Sequence, residues 1–190
     1  NNFIGYSPVF FKDKSLHKLA YTEDEIVALE NIMDGEIQIK NTATKEHFLT
    51  NSHNSKIIHL ATHADASKNP WIGFSDGNLE LHELYTYKNN AQLVVLSACN
   101  TSLGEVATGE GVLSLARGFF YSGANSVSST LWNVNDVATS SIMLDFYKNL
   151  KKGQSKSTAL NNAKLTYIEQ HTLSEVSPYY WASFVLIGDT

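Results

Sequence analysis

The 190-residue chain holds one cysteine, Cys99, and seven histidines. The run LVVLSAC ends on that cysteine, and the run KIIHLATH ends on His63. Each is a short, branched, apolar stretch of the kind that forms a buried strand, so each delivers its reactive residue near a carboxyl end. Ligands of open α/β sheets bind at that rim. If the two strands are parallel neighbours, a thiol and an imidazole rise from one edge. The imidazole then shuttles protons while sulfur attacks a carbonyl carbon. Backbone N–H groups at Cys99 and Ala64, just beyond the strand ends, are placed to receive the charge that develops on oxygen. The other reading is packing, because free cysteine is among the most buried residue types and histidine is often structural. The two strand ends alone leave both readings open.

Other chemistries fit less well. His59 and His63 form H-x-x-x-H, a metal-binding spacing when it lies on a helix. Along a strand the two positions stand more than about 12 Å apart. No third ligand accompanies them, and His59 reads as a packed sheet residue. GEGVLS at 109–114 approximates a phosphate-cradling glycine run before a helix. A true version turns tightly off its strand, whereas residues 99–108 separate Ala98 from Gly109, and Glu105 and Glu110 would face the phosphates. LSACNTS contains serines but no G-x-S-x-G elbow. The expectation is a site with no metal and no cofactor.

Strands and helices alternate along the chain. NFIGYSPVFF reads as a strand running into a Ser-Pro turn. YTEDEIVALENIM carries a capping box, with Thr22 accepting from the Glu25 backbone and the Glu25 carboxylate reaching back. Ile26, Leu29 and Met33 follow at helical spacing, and Gly35 stops the helix. EIQIK alternates like a half-exposed strand, and TATKEHFLTN is a short helix. WIGFSDGNLELHELY predicts a hairpin around Asp76-Gly77 and a helical turn. Behind Cys99 runs a long loop, 100–111. EGVLSLARGFFYSGA is a helix with Val112, Leu115, Ala116 and Phe119 on one face and Gly123 at its end. NSVSSTLW is a strand. NDVATSSIMLDFYKNLKKG is a helix capped by Asn135 or Asp136, with Ile142, Met143, Phe146 and Leu150 inward. SKSTALNNAKLTYIEQH is the last helix and YYWASFVLIG the last strand. The pattern calls for an α/β fold, a mostly parallel sheet flanked by helices on both faces.

A composition 43% hydrophobic and 17% charged suits a single domain over 1–190 with a sizeable core. The net charge of −5 offers no basic surface for nucleic acid or an anionic membrane. One cysteine excludes an intramolecular disulfide and fits a reducing, cytoplasmic setting. No apolar run approaches the roughly 20 residues of a membrane span. The opening NNFIGYSPVFFKDK lacks the layout of a signal peptide and an initiator methionine, so the chain reads as cut from a longer one.

IIHLATHA, LVVLSACNTSLGE, GEGVLSLARGFFYSGANSVSSTLWNVND and PYYWASFVLIGD together resemble a CHAT domain. This is the caspase- and separase-like module (clan CD) often found behind tetratricopeptide repeats in bacterial proteins. The resemblance covers nearly the whole chain, from Phe3 to Asp189. It implies a caspase-like fold and a cysteine endopeptidase acting on a protein or peptide, with His63 as general acid/base and Cys99 as nucleophile. By resemblance to the separase branch, the strand ending near Trp132 and Asn133 pairs with substrate backbone. Asp136 then lies at the bottom of the P1 pocket, where a carboxylate selects Arg or Lys. Asp136 equally reads as a plain helix cap. An aspartate preference would need a cationic pocket, and Arg117 lies inside a helix, facing solvent. Ala64 departs from the family, which usually has Gly after the catalytic histidine. If that position needs a positive φ, alanine costs about 1 kcal/mol there. The rival reading, an inactive caspase-like interaction or regulatory module, rests on that departure. The parent chain is expected to carry a repeat or sensor region before Asn1.

Overall fold

The runs FIGYS, EIQI, IIHL, LVVL and SVSST form five parallel strands, and FVLIG closes the sheet antiparallel to the last of them. These are β1 (Phe3–Ser7), β2 (Glu36–Ile39), β3 (Ile57–Leu60), β7 (Leu93–Leu96), β8 (Ser126–Thr130) and β9 (Phe184–Gly188). Their order across the sheet is β2-β1-β3-β7-β8-β9, which puts the IIHL and LVVL strands side by side at the centre. A second, antiparallel sheet consists of β4 (Ala64–Asp65), β5 (Trp71–Phe74) and β6 (Gly77–Glu80). The computed structural model describes residues 2–19, 21–65, 69–97, 109–132, 136–172 and 175–190, without the side chains of 109–114 and 136.

Among the described residues the α-helices are α1 (Thr22–Met33), α2 (Lys45–Asn51), α3 (Leu81–Leu84), α4 (Gly109–Ser122), α5 (Asp136–Lys151), α6 (Lys156–Gln170) and α7 (Pro178–Trp181). Alternation along each strand sends neighbouring side chains to opposite faces. Ile4, Tyr6, Ile58 and Val94 pack with Phe48 of α2, Leu84 of α3 and Leu115, Ala116 and Phe119 of α4. Phe3, Leu93 and Val95 pack on the other face with Leu29 of α1, Ile142, Met143 and Phe146 of α5, and Ala159 of α6. Both faces are therefore covered, as a buried parallel sheet requires.

Three local expectations are corrected. The capping box of α1 does not form: no side chain caps its N-terminus, and Thr22 Oγ1 donates to Leu19 O. Glu25 instead turns inward to His59. Asp34, at φ 55°, takes the left-handed position that ends α1. Gly35 lies where an added Cβ would strike the Phe3 backbone and ring. The run YYWASFVLIG divides, because Ser177 accepts from Tyr179 N and Pro178 opens a short helix, leaving a strand from Phe184. The hairpin around Asp76-Gly77 stands as expected, but its first strand also pairs with residues 64 and 65. That pairing makes a three-stranded sheet directly after His63.

Candidate active site

The register decides how the strands that carry the two candidate residues relate. Leu60 of β3 is the direct partner of Leu96 of β7, and Ser97 N donates to Leu60 O at 3.1 Å, extending the ladder one step. His63 and Cys99 each follow their strand's last paired residue by the same number of positions. The strands are thus parallel neighbours ending at one rim, the arrangement required of a dyad. Cys99 itself, like Asn133, lies outside the described residues.

His63 is only 3% exposed. Its Nε2 lies 2.8 Å from the carbonyl of His17, and its ring centroid is 4.9 Å from that of Phe11. A carbonyl only accepts, so the neutral ring carries its proton on Nε2 and keeps its lone pair on Nδ1. The main chain on either side is fixed as well. Gly73 N donates to His63 O at 2.8 Å, and Thr62 Oγ1 donates to Gly73 O at 2.7 Å. Ala64 pairs with Ile72 inside β4 and is absent from the positive-φ positions, Val9, Asp34 and Lys40, among the described non-glycine residues. With His63 O directed at β5, strand alternation turns the Ala64 N–H away from β5. The alanine therefore carries no left-handed strain.

Beneath the rim, where the sequence predicts His59 as a packed sheet residue, lies a polar network. His59 is fully buried; its Nε2 is 3.0 Å from both Glu25 Oε1 and Ser97 Oγ, and its Nδ1 is 2.9 Å from Tyr147 OH. A carboxylate accepts, so Nε2–H points to Glu25 and Ser97 while Tyr147 donates to Nδ1. Burial, then the Glu25 charge, push the Tyr147 hydroxyl well above its ordinary range. Gly5, the cross-strand partner of His59, makes the close approach of α1 possible: a Cβ there would stand 2.5 Å from Ile26 Cδ1. The sequence signal was present, since a histidine inside an apolar strand needs buried partners. Its partners come from α1, β7's end and α5, which spacing does not reveal.

At the far side of the rim, Trp132 follows β8, half-buried, and its Nε1 donates to Tyr179 O of α7 at 2.9 Å. Asp136 is the first residue of α5, and its side chain lies outside the described residues. Arg117 is exposed on α4. Among the described residues there is no group of three or more histidine, cysteine or acidic side chains fit to hold a metal. No described helix is long and apolar enough to cross a membrane.

Comparison with known proteins agrees with this architecture. The CHAT domain family profile matches residues 7–189. Tetratricopeptide repeat protein 28 of Mus musculus is 33% identical over 106 residues, 56% of this chain. Its counterpart in Homo sapiens is 36% identical over 97 residues, 51% of this chain. The matched segment makes up only 4% of either relative. Among solved structures, the Arg-specific cysteine proteinase gingipain R superposes with a TM-score of 0.66 at 10% identity, covering 98% of this chain and 45% of that one. The complex of the pro- and mature domains of Porphyromonas gingivalis RgpB gives 0.64 at 10% identity, covering 98% and 46%. At that identity the likeness concerns the fold, which is the caspase-like α/β sandwich of cysteine proteinases.

Proposed function

The chain belongs to the CHAT domain family, and from that premise we propose that it is a cysteine endopeptidase with His63 as general acid/base and Cys99 as nucleophile. The observation that carries the reading is the Leu60 to Leu96 register, which brings the ends of the two strands to one rim. In the proposed reaction His63 Nδ1 takes the thiol proton and the Cys99 thiolate attacks the scissile carbonyl carbon. The backbone N–H groups of Ala64 and Cys99 receive the oxyanion. As the C–N bond breaks, the proton passes from His63 to the departing amine, leaving a thioester. Water, deprotonated by the same nitrogen, then hydrolyses the thioester and restores the thiol. The His17 carbonyl holds the ring orientation through Nε2 and stabilises the imidazolium that forms.

Specificity is assigned to the opposite side of the rim. Substrate backbone pairs at Trp132 and Asn133, and Asp136 selects Arg or Lys at P1 by a charge-assisted pair. The arginine specificity named for gingipain R, a protein of the same fold, supports a basic P1. The working setting is the cytoplasm of a bacterium, where a lone thiol stays reduced, within a longer chain whose repeat region senses the trigger. The tetratricopeptide repeat relatives support the association with a repeat region.

The test compares wild type, Cys99→Ala and His63→Ala on fluorogenic peptides with Arg, Lys or Asp at P1. Cleavage of the Arg and Lys peptides that vanishes in both variants is the expected result. No Cys99-dependent cleavage by the full parent chain with its activator would leave the sheet as an interaction module. Cleavage of the Asp peptide alone would refute the role of Asp136. In parallel, iodoacetamide should alkylate Cys99 at a rate that falls when His63 is removed.

A further inference from the structure

The small sheet that follows His63 has an inner and an outer face. Ala64, Ile72, Phe74 and Leu79 face the core. Strand alternation therefore turns Asp65, Trp71, Gly73, Asn78 and Glu80 outward. The register aligns them in rows: Asp65 opposite Trp71, and Trp71 opposite Glu80. An indole thus lies between two carboxylates on one surface. Side chains directly opposite across antiparallel strands stand about 5 Å apart at Cβ, within reach of one shared ligand.

The next row continues towards the candidate active site. Gly73 N bonds the His63 carbonyl, and Gly73 has no side chain, so Phe11 lies over it; a Cβ there would stand 3.1 Å from Phe11 Cε1. Phe11 in turn packs against the His63 ring. The acid–indole–acid row is two residues along the strand from this point, about 7 Å. It floors a cleft of about 780 Å³ whose lining includes Asn78, His82 and Tyr85. Tyr85 is 43% exposed at the cleft wall. No lysine or arginine lines the cleft among the described residues.

We propose that this outer face is a subsite for a second basic side chain, lysine or arginine, of the same polypeptide that reaches His63. The proposal rests on the peptidase reading and extends it from one basic position to two. The cation lies on the Trp71 face, where the ring quadrupole attracts it, with the Glu80 carboxylate on one side and Asp65 on the other. Asp65 already has a partner within the chain, so it contributes shared charge, and Glu80 with Trp71 supplies the main contact. The phenol of Tyr85 closes the wall against the side chain's methylene stem. A cationic occupant is the one that matches both the charge and the aromatic floor; an acidic peptide is repelled by the same row.

The test measures binding apart from cleavage. Fluorescein-labelled peptides carry one fixed arginine in a glycine–alanine background, with a second arginine moved through four positions on either side. Their affinity for the Cys99→Ala chain is read by anisotropy. At one register the second arginine should tighten binding about tenfold over norleucine at the same place. The gain should shrink with added salt and disappear in Glu80→Gln with Asp65→Asn. Trp71→Phe should reduce it. Glu80→Lys with Asp65→Asn should invert it, favouring glutamate at that register, which separates recognition from simple loss of fold. Thermal midpoints check that each variant is folded. No favoured register, or a favoured register that survives the Glu80 and Asp65 changes, overturns the subsite. Wild-type cleavage without any register effect would remove the subsite and leave the peptidase reading. Register-dependent binding without cleavage would do the reverse.

Discussion

The alanine after His63 acts on chemistry only through its main chain, since its methyl group points into the core with Ile72 and Leu79. Because β4 is extended at that point, alanine is as well suited as glycine and less costly in unfolded-state entropy. Ala64→Gly is therefore expected to lower stability by about 0.5–1 kcal/mol and to give no acceleration of Cys99-dependent cleavage. A tenfold gain in kcat with the glycine would show instead that the alanine misdirects its N–H. The Glu25–His59 pair sets a sharper test of the rim's foundation. Glu25 is 3% exposed and His59 fully buried, so truncating one strands the other in a low-dielectric interior. Glu25→Ala leaves the neutral His59 N–H with Ser97 alone and should cost about 1–3 kcal/mol by urea unfolding. His59→Leu with Glu25→Leu should recover much of that, because paired apolar replacements remove the desolvation cost on both sides. An additive double variant would mean that the two groups do not act as a pair.

At the level of elements, the position of α1 depends on Gly5 of β1, the cross-strand partner of His59. Ile26 lies against Gly5, so Gly5→Ala overpacks the α1–β1 contact and should cost about 1–3 kcal/mol. An added Cβ would meet both Ile26 Cδ1 and Cγ1, at 2.5 and 2.7 Å, and Ile26→Ala removes both, so the Gly5→Ala, Ile26→Ala double variant should cost less than the sum of the two single changes, as read from denaturation midpoints. The failure of any such rescue would show that the strain lies in the β1 backbone. This contact also shows where the sequence was and was not readable. The parallel strands, the helices on both faces and the matching strand ends of His63 and Cys99 followed from short apolar runs and helical spacing, which are local signals. Thr22 and Glu25 looked like a cap because their spacing fits one. The competing partner, His59, is distant in sequence and adjacent only after β1 and β3 pair. The helix at Pro178–Trp181 was hidden in an aromatic run because such residues suit a strand equally well. The pairing of residues 64–65 with Trp71–Ile72 had no local signature, and with it the row of Asp65, Trp71 and Glu80 went unseen.

Across the whole molecule, three tyrosines report on both cores at once. Tyr6 and Tyr87 lie in the core that faces α2, α3 and α4, and Tyr147 lies in the one that faces α1, α5 and α6. Burial pushes Tyr87 up to about 12 and raises Tyr6 and Tyr147 further above the ordinary range. Below pH 10 neither the folded nor the unfolded chain ionises these phenols, and the folded state keeps its full stability. Above it the unfolded chain releases protons that the folded chain retains, so stability falls as pH rises, by about 1.4 kcal/mol per pH unit for each tyrosine. Lys164 works in the opposite sense. Desolvation lowers it while its ammonium donates to Phe184 O at 2.7 Å, so deprotonation favours the folded chain up to the ordinary lysine range. One lysine does not offset three phenols beyond pH 10. The urea midpoint should hold or rise slightly between pH 8 and about 10 and then fall steeply towards 12. Tyr167 is raised as well, so Tyr147→Phe should remove about a quarter to a third of that alkaline slope, at a cost near neutrality of about 1 kcal/mol for the lost bond to His59. A midpoint that stayed flat to pH 11, or a slope unchanged in Tyr147→Phe, would mean that these hydroxyls reach water, and the two-sided core would then be more open than its packing indicates.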